Sequence, residues 1–150
     1  MFTFHLSRQK AEDTRALEHL AHPGTGVCNP QPAVHGCRQV SELAYGEELV
    51  GKLRDDELFG PLLSEKLLYY PTVTREPFRN RGRITDLISS EQLFNDIHQP
   101  PLDIETDRIM MCGSPAMLDE LKQMFESGGF VEGSGNKPGH FVIEKAFVER

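Results

Sequence analysis

Arg108-Ile109-Met110-Met111-Cys112 is a short apolar run that stops at Gly113-Ser114-Pro115, and a stretch with apolar residues at Met117, Leu118, Leu121 and Phe125 follows at once. An unbroken apolar run of this length suits a strand buried on both faces, as in a parallel sheet. Spacings of three and four suit a helix that buries one face. Ser114 can cap that helix and Pro115 is pre-shaped for its first position, while Gly128 and Gly129 can end it in a left-handed turn. A strand feeding directly into a helix is the repeating unit of parallel α/β sheets. It constrains the fold more than any other feature of the chain.

The same alternation recurs on either side. Ala33-Val34-His35-Gly36 reads as a strand stub ending at glycine, and Ser41 to Leu53 carries Leu43, Ala44, Leu49, Val50 and Leu53 at near-helical spacing. Lys66 to Val73 is a strand candidate whose Pro71 points to a strand end or an irregular stretch. Ile84 to Phe94 reads as a helix broken near Ser89, and Phe141 to Val148 as a last strand. The expectation is an α/β fold: a three-layer parallel sheet with helices on both faces, joined by right-handed crossovers. Ligands of such sheets gather at the carboxyl ends of the strands. Residues 33–150 would form this domain. Residues 1–32 would be a divergent or disordered segment, with a short helix over Thr14–Ala21 and then three prolines and two glycines between His22 and Pro32. No central strand is expected in that proline-rich stretch.

Composition narrows the setting. The chain has 150 residues, 38% apolar and 26% charged, which suits one soluble globular domain. No apolar run approaches the ~18 residues of a membrane span. The first residues place their apolar members before their basic ones, the reverse of a secretory leader. Cys28, Cys37 and Cys112 form no C-x-x-C pair, which points to a reducing cytoplasm. A net charge of −7 argues against broad attraction to membranes or nucleic acid.

One island runs against that charge. From Arg75 to Arg83 there are four arginines and one glutamate, a local +3 that leaves −10 for the rest of a chain whose total is −7. Guanidinium groups suit phosphate because their planar fork donates two parallel hydrogen bonds. In nucleotide-binding sheets, arginine near a strand end accommodates the 2′-phosphate that separates NADP from NAD. The bland alternative is a solvated basic loop paired with Glu76, Asp86 or other carboxylates. A phosphate- or nucleic-acid-binding module is a further alternative, although only Phe78 offers an aromatic platform inside the cluster.

Four segments carry a resemblance: Tyr70 to Thr85 (Tyr-Pro-Thr-Val-Thr-Arg-Glu-Pro-Phe-Arg-Asn-Arg-Gly-Arg-Ile-Thr), His35 to Tyr45, Met111 to Met117, and the ending Ala146-Phe147-Val148-Glu149-Arg150. In order and spacing they closely resemble the NADP-binding half of bacterial ferredoxin–NADP(+) reductases. The resemblance implies an oxidoreductase that exchanges electrons between ferredoxin or flavodoxin and NADP(H) through FAD. It implies that Arg75 and Arg83 clasp the 2′-phosphate, that Arg38 assists there or at the pyrophosphate, and that Thr74 donates a hydroxyl. It puts Cys112 and Gly113 at a strand end near the approaching nicotinamide, Ala146 and Phe147 against the flavin ring, and Phe78 on the adenine. Cys112 and Phe147 would be the catalytic pair.

Two departures stand beside it. The family's arginine–aromatic–serine flavin word is absent, and too few residues precede Ala33 for its flavin-binding barrel. The expectation is therefore a truncated or rearranged form with an incomplete N-terminal part, and a non-catalytic NADP-binding remnant is the alternative. Only Gly24-Thr25-Gly26 echoes the turn that follows the family's first strand. His19, His22 and Cys28 have irregular spacing for a metal site, and none is expected.

Overall fold

The computed structural model describes residues 2–8 and 30–144. Its elements are β1 (Phe2–Arg8), β2 (Gln31–Cys37), a 3₁₀ turn (Val40–Leu43), α1 (Ala44–Arg54), α2 (Gly60–Lys66), β3 (Leu67–Val73), α3 (Ile84–Ser89), α4 (Gln92–Asp96), β4 (Asp107–Cys112), α5 (Pro115–Ser127) and β5 (Phe141–Glu144). The fold is α/β, built on one five-stranded sheet in the order β3-β2-β1-β4-β5. No helix among the described residues is long and apolar enough to cross a membrane.

Two parallel pairs make up the outer sheet. β2 runs beside β3 from Gln31 opposite Leu67 to Cys37 opposite Val73, and β4 runs beside β5 from Ile109 opposite Phe141 to Cys112 opposite Glu144. The expectation of an all-parallel sheet needs correction at its centre. β1 lies between the pairs and is antiparallel to both, with Phe2 opposite Gly36 and Thr3 opposite Cys112. Its signal is present in the sequence as strict alternation, Phe2, Phe4 and Leu6 against Thr3, His5 and Ser7. β1 satisfies the backbone groups on the facing edges of β2 and β4, which would otherwise lack ladder partners.

Pro71 sits within β3 and is buried. β3 is an edge strand, which is where proline is tolerated. Val73, of the same parity, donates its N–H away from β2 to the Asn80 carbonyl at 3.1 Å. The donor that Pro71 lacks would also have faced outward. β4 departs from the expected burial on both faces, because Met110 is 45% exposed while Ile109 and Met111 are buried. The break near Ser89 is present: α3 ends there, Glu91 takes φ +61°, and α4 begins at Gln92.

The main core packs Val34, Tyr70, Ile109 and Met111 of the sheet against Leu87 of α3 and Leu121 of α5. Phe125 packs against both Phe130 and Phe141 as tilted rings, with centroids 5.8 Å apart in each of the two contacts. His35 and Tyr69 alternate with Val34 and Tyr70 along their strands, so they face the other way. There Gly46 of α1 lies close enough that an added Cβ would stand 2.6 Å from Tyr69 Oη and 2.7 Å from His35 Nδ1.

Candidate functional site

The carboxyl ends of β2 and β3 continue their pairing past the last strand residues. Thr74 N donates to Cys37 O at 3.1 Å and Arg75 N to Arg38 O at 3.0 Å. This ladder extension sets Arg38 and Arg75 side by side. The chain beyond Arg75 then folds back along the open edge of β3. Gly82 N donates to Val73 O at 3.1 Å, Thr72 Oγ1 to Gly82 O at 2.9 Å and Asn80 Nδ2 to Pro71 O at 2.9 Å. Gly82 has φ +149°, a conformation that favours glycine, and this turn returns Arg83 to the neighbourhood of Thr74.

The result is a cavity of about 320 Å³ bordered by Arg38, Thr74, Arg75 and Arg83, with Ser114 and Met117 of the α5 start on its far side. The structure thus brings together all four residues expected to hold the phosphates. It lies at the strand ends where α/β sheets bind ligands, beside the positive end of a 13-residue helix. Pro115 occupies the first turn of α5, as the sequence indicates.

The arginines are not equivalent. Among the described residues, the side chains of Arg38 and Arg75 make no hydrogen bond or ion pair, and both are exposed. Arg83 is bonded to Glu120 of α5, and that carboxylate holds its guanidinium still further above its usual pKa. Arg79 pairs with Glu47 and lies 4.7 Å over the Phe78 ring. Glu76, the single acid of the cluster, accepts from Val40 N. Phe78 packs on the small core of Cys37, Leu43 and Val73, beneath Arg79.

Beneath the cavity, Cys37 Sγ lies 3.3 Å from His35 Nε2, and His35 Nδ1 lies 2.7 Å from Tyr69 Oη. Burial pushes the His35 pKa down and the Cys37 thiol up, and it raises Tyr69 to about 12. All three are therefore neutral near pH 7. They add no charge to the cavity, whose field comes from the arginines.

Cys112 is half-buried at the end of β4, and Gly113, buried, leads to Ser114 at the cavity rim. Ala146 and Phe147 lie outside the described residues, as do Gly24-Thr25-Gly26 and the group His19, His22 and Cys28. Among the described residues no cluster of histidine, cysteine or carboxylate groups could hold a metal ion. Glu120 is the site residue that sequence reasoning missed. It stands on an exposed helix face with no motif around it.

A second cavity of about 380 Å³ lies at the opposite, amino ends of β4 and β5, near Arg108 and His140. Arg108 there donates to the carbonyls of Ile104, Glu105 and Asp107, and His140 Nδ1 accepts from Val131 N.

No protein-family model matches the chain. Individual proteins do. The ferredoxin–NADP reductase of Pseudomonas aeruginosa is 51% identical over 118 residues, which are 78% of this chain and 46% of that protein. The flavodoxin/ferredoxin–NADP reductase of Rhodobacter capsulatus is 49% identical over 115 residues, 77% of this chain and 43% of that protein. The chain therefore spans under half the length of these relatives. Among solved structures, a ferredoxin NADP+ reductase from Neisseria gonorrhoeae with bound FAD and NADP superimposes with a TM-score of 0.61, at 21% identity, over 76% of this chain and 43% of that one. That likeness bears on the fold alone. Over those 118 positions about half the residues are identical, so most of this chain is similar in sequence to somewhat less than half of a ferredoxin–NADP reductase.

Proposed function

We propose that the cavity binds the 2′-phosphorylated adenosine end of NADP(H), and that the chain serves as the NADP-binding portion of a ferredoxin–NADP reductase. One observation carries this reading. Two guanidinium groups without carboxylate partners among the described residues, Arg38 and Arg75, share one cavity with Thr74 and with a third arginine, Arg83. A compact anion at the carboxyl edge of the sheet would satisfy them. The similarity to reductases that carry NADP in their names supports the choice of anion.

In this reading Arg75 and Arg83 grip the 2′-phosphate, Arg38 reaches the same group or the pyrophosphate, and the Thr74 hydroxyl adds a donor. Cys112 and Gly113 lie where the nicotinamide would approach a flavin, and Ala146 and Phe147 would close that end. FAD, where bound, would supply the redox chemistry, exchanging single electrons with ferredoxin or flavodoxin and a hydride with the nicotinamide. In this reading what this chain contributes is binding and orientation of the nucleotide. The proposed setting is cytoplasmic. α1 packed at His35 and Tyr69, opposite α3 and α5, supports the three-layer form of the fold.

Calorimetry with 2′-phospho-AMP and AMP tests the reading. The expected result is tighter binding of the 2′-phosphorylated nucleotide. Equal affinity would remove the role given to the arginines.

A further inference from the structure

Among the described residues Glu120 is the one carboxylate at the cavity border, and it is bonded to a residue that the proposed phosphate must also engage. It reaches across from α5 to Arg83, the residue just before α3. Among the described residues its ion-pair partner is Arg83, since Lys122, the nearest cation along the helix, bonds to Glu132 and Glu126. The pair is exposed on both sides, at 56% for Arg83 and 44% for Glu120. Exposed ion pairs are weak and exchange readily with other partners. Glu120 can therefore turn to solvent without leaving a buried charge behind.

We propose that Glu120 is a displaceable latch that sets the affinity and selectivity of this cavity for phosphate. With the site free, it holds Arg83 against α5. An entering phosphomonoester displaces it, because the dianion carries more charge than one carboxylate and engages Arg38 and Arg75 at the same time. A monoanion gains less from the three arginines and exchanges for Glu120 at little advantage. The latch thus favours phosphomonoesters over carboxylates and other single charges. It also disfavours binding to Arg83 alone. This inference rests on the phosphate reading of the cavity.

The test is calorimetric titration of 2′-phospho-AMP, with adenosine as the phosphate-free comparison, into the wild-type chain and into Glu120→Gln, Arg83→Ala and the double variant. Glu120→Gln keeps the shape of the side chain and removes its charge. It should bind 2′-phospho-AMP about 2- to 5-fold more tightly at low ionic strength, the range expected for releasing one exposed ion pair. Salt should shrink the gain. In the Arg83→Ala background the same change should have little effect.

The failures are distinguishable. If the wild-type chain prefers 2′-phospho-AMP but Glu120→Gln binds it equally or more weakly, Glu120 orients Arg83 and the latch is wrong while the phosphate site stands. A gain that persists in full without Arg83 means that Glu120 acts through its field rather than through the pair, and this also overturns the latch. If the wild-type chain binds 2′-phospho-AMP no more tightly than adenosine, the phosphate reading falls and the latch falls with it.

Discussion

Alanine at Gly46 and alanine at Gly51 should move stability in opposite directions, although both replace glycine in the same helix. Alanine is favoured over glycine in a helix interior by about 1 kcal/mol. Gly51 is exposed and an added Cβ there meets nothing within 4 Å, so Gly51→Ala should stabilise by about that amount. At Gly46 the Cβ would stand 2.6 Å from Tyr69 Oη and 2.7 Å from His35 Nδ1, the two atoms that share the 2.7 Å hydrogen bond beneath the cavity. His35 is only 4% exposed and has little room to retreat. Either that bond breaks or α1 lifts, and overpacking of this kind costs about 1–3 kcal/mol. Less the helical gain, Gly46→Ala should destabilise by about 0–2 kcal/mol. The two variants should therefore differ by about 1–3 kcal/mol. Urea unfolding followed by far-ultraviolet circular dichroism gives the comparison, with equal m-values as the check that the midpoints report stability. If Gly46→Ala is as stable as Gly51→Ala, the packing of α1 on His35 and Tyr69 is wrong.

Three further outcomes follow from the site and the core. Arg75→Ala should weaken binding of 2′-phospho-AMP by about 1.5–3 kcal/mol, the worth of hydrogen bonds to a charged partner. Arg83→Ala should cost up to about 1 kcal/mol less, because Arg83 must first give up Glu120; calorimetry giving the reverse order would count against the unequal arginines. Burial depresses His35 in the folded state, so the unfolded chain takes up its proton first as pH falls below 6.5. The contribution of neutral His35 is therefore present above that pH and lost as pH falls through the depressed folded value. Urea midpoints from about pH 7.5 to about pH 5 should drop more steeply in the wild-type chain than in His35→Asn, and equal slopes would contradict the assignment. Leu121→Ala, at a position with no exposure, should cost about 2–5 kcal/mol in thermal or urea unfolding, and a loss under 1 kcal/mol would show the site to be loosely packed.

Much of the arrangement was legible because local chemistry and tertiary demand agreed. Pro115 opens α5 and Gly129, at φ +87°, turns the chain after it, while Ser114 precedes the helix without a side-chain cap bond and Gly128 keeps a negative φ; the break after Ser89 falls where expected. The arginine cluster followed a strand, and the edge pairing of β3 with Asn80 and Gly82 gathers Arg75 and Arg83. What escaped reading has a common cause. The orientation of β1 is set by its two neighbours and not by its own seven residues, whose alternation is the same in either direction. Glu120 is a site residue only because α5 brings it opposite Arg83, and helical periodicity treats it as one more solvent-facing acid. α2, whose seven residues Gly60–Lys66 follow an exposed turn, is too short for its periodicity to stand out.

The antiparallel central strand also acts as a spacer. One bank of the cavity, Arg38 with Thr74 to Arg83, belongs to the β2–β3 pair, and the other, Ser114 to Glu120, hangs from β4. Neighbouring strands lie about 4.8 Å apart, so β1 fixes the two banks about two steps, or some 10 Å, from each other. At this rim β1 presents its first residues, Phe2 and Thr3, and not an exit into a helix. The gap that the proposed nucleotide would bridge is thus gauged by the seven residues of β1, and shortening or loosening them would change the bore of the site without touching a single arginine.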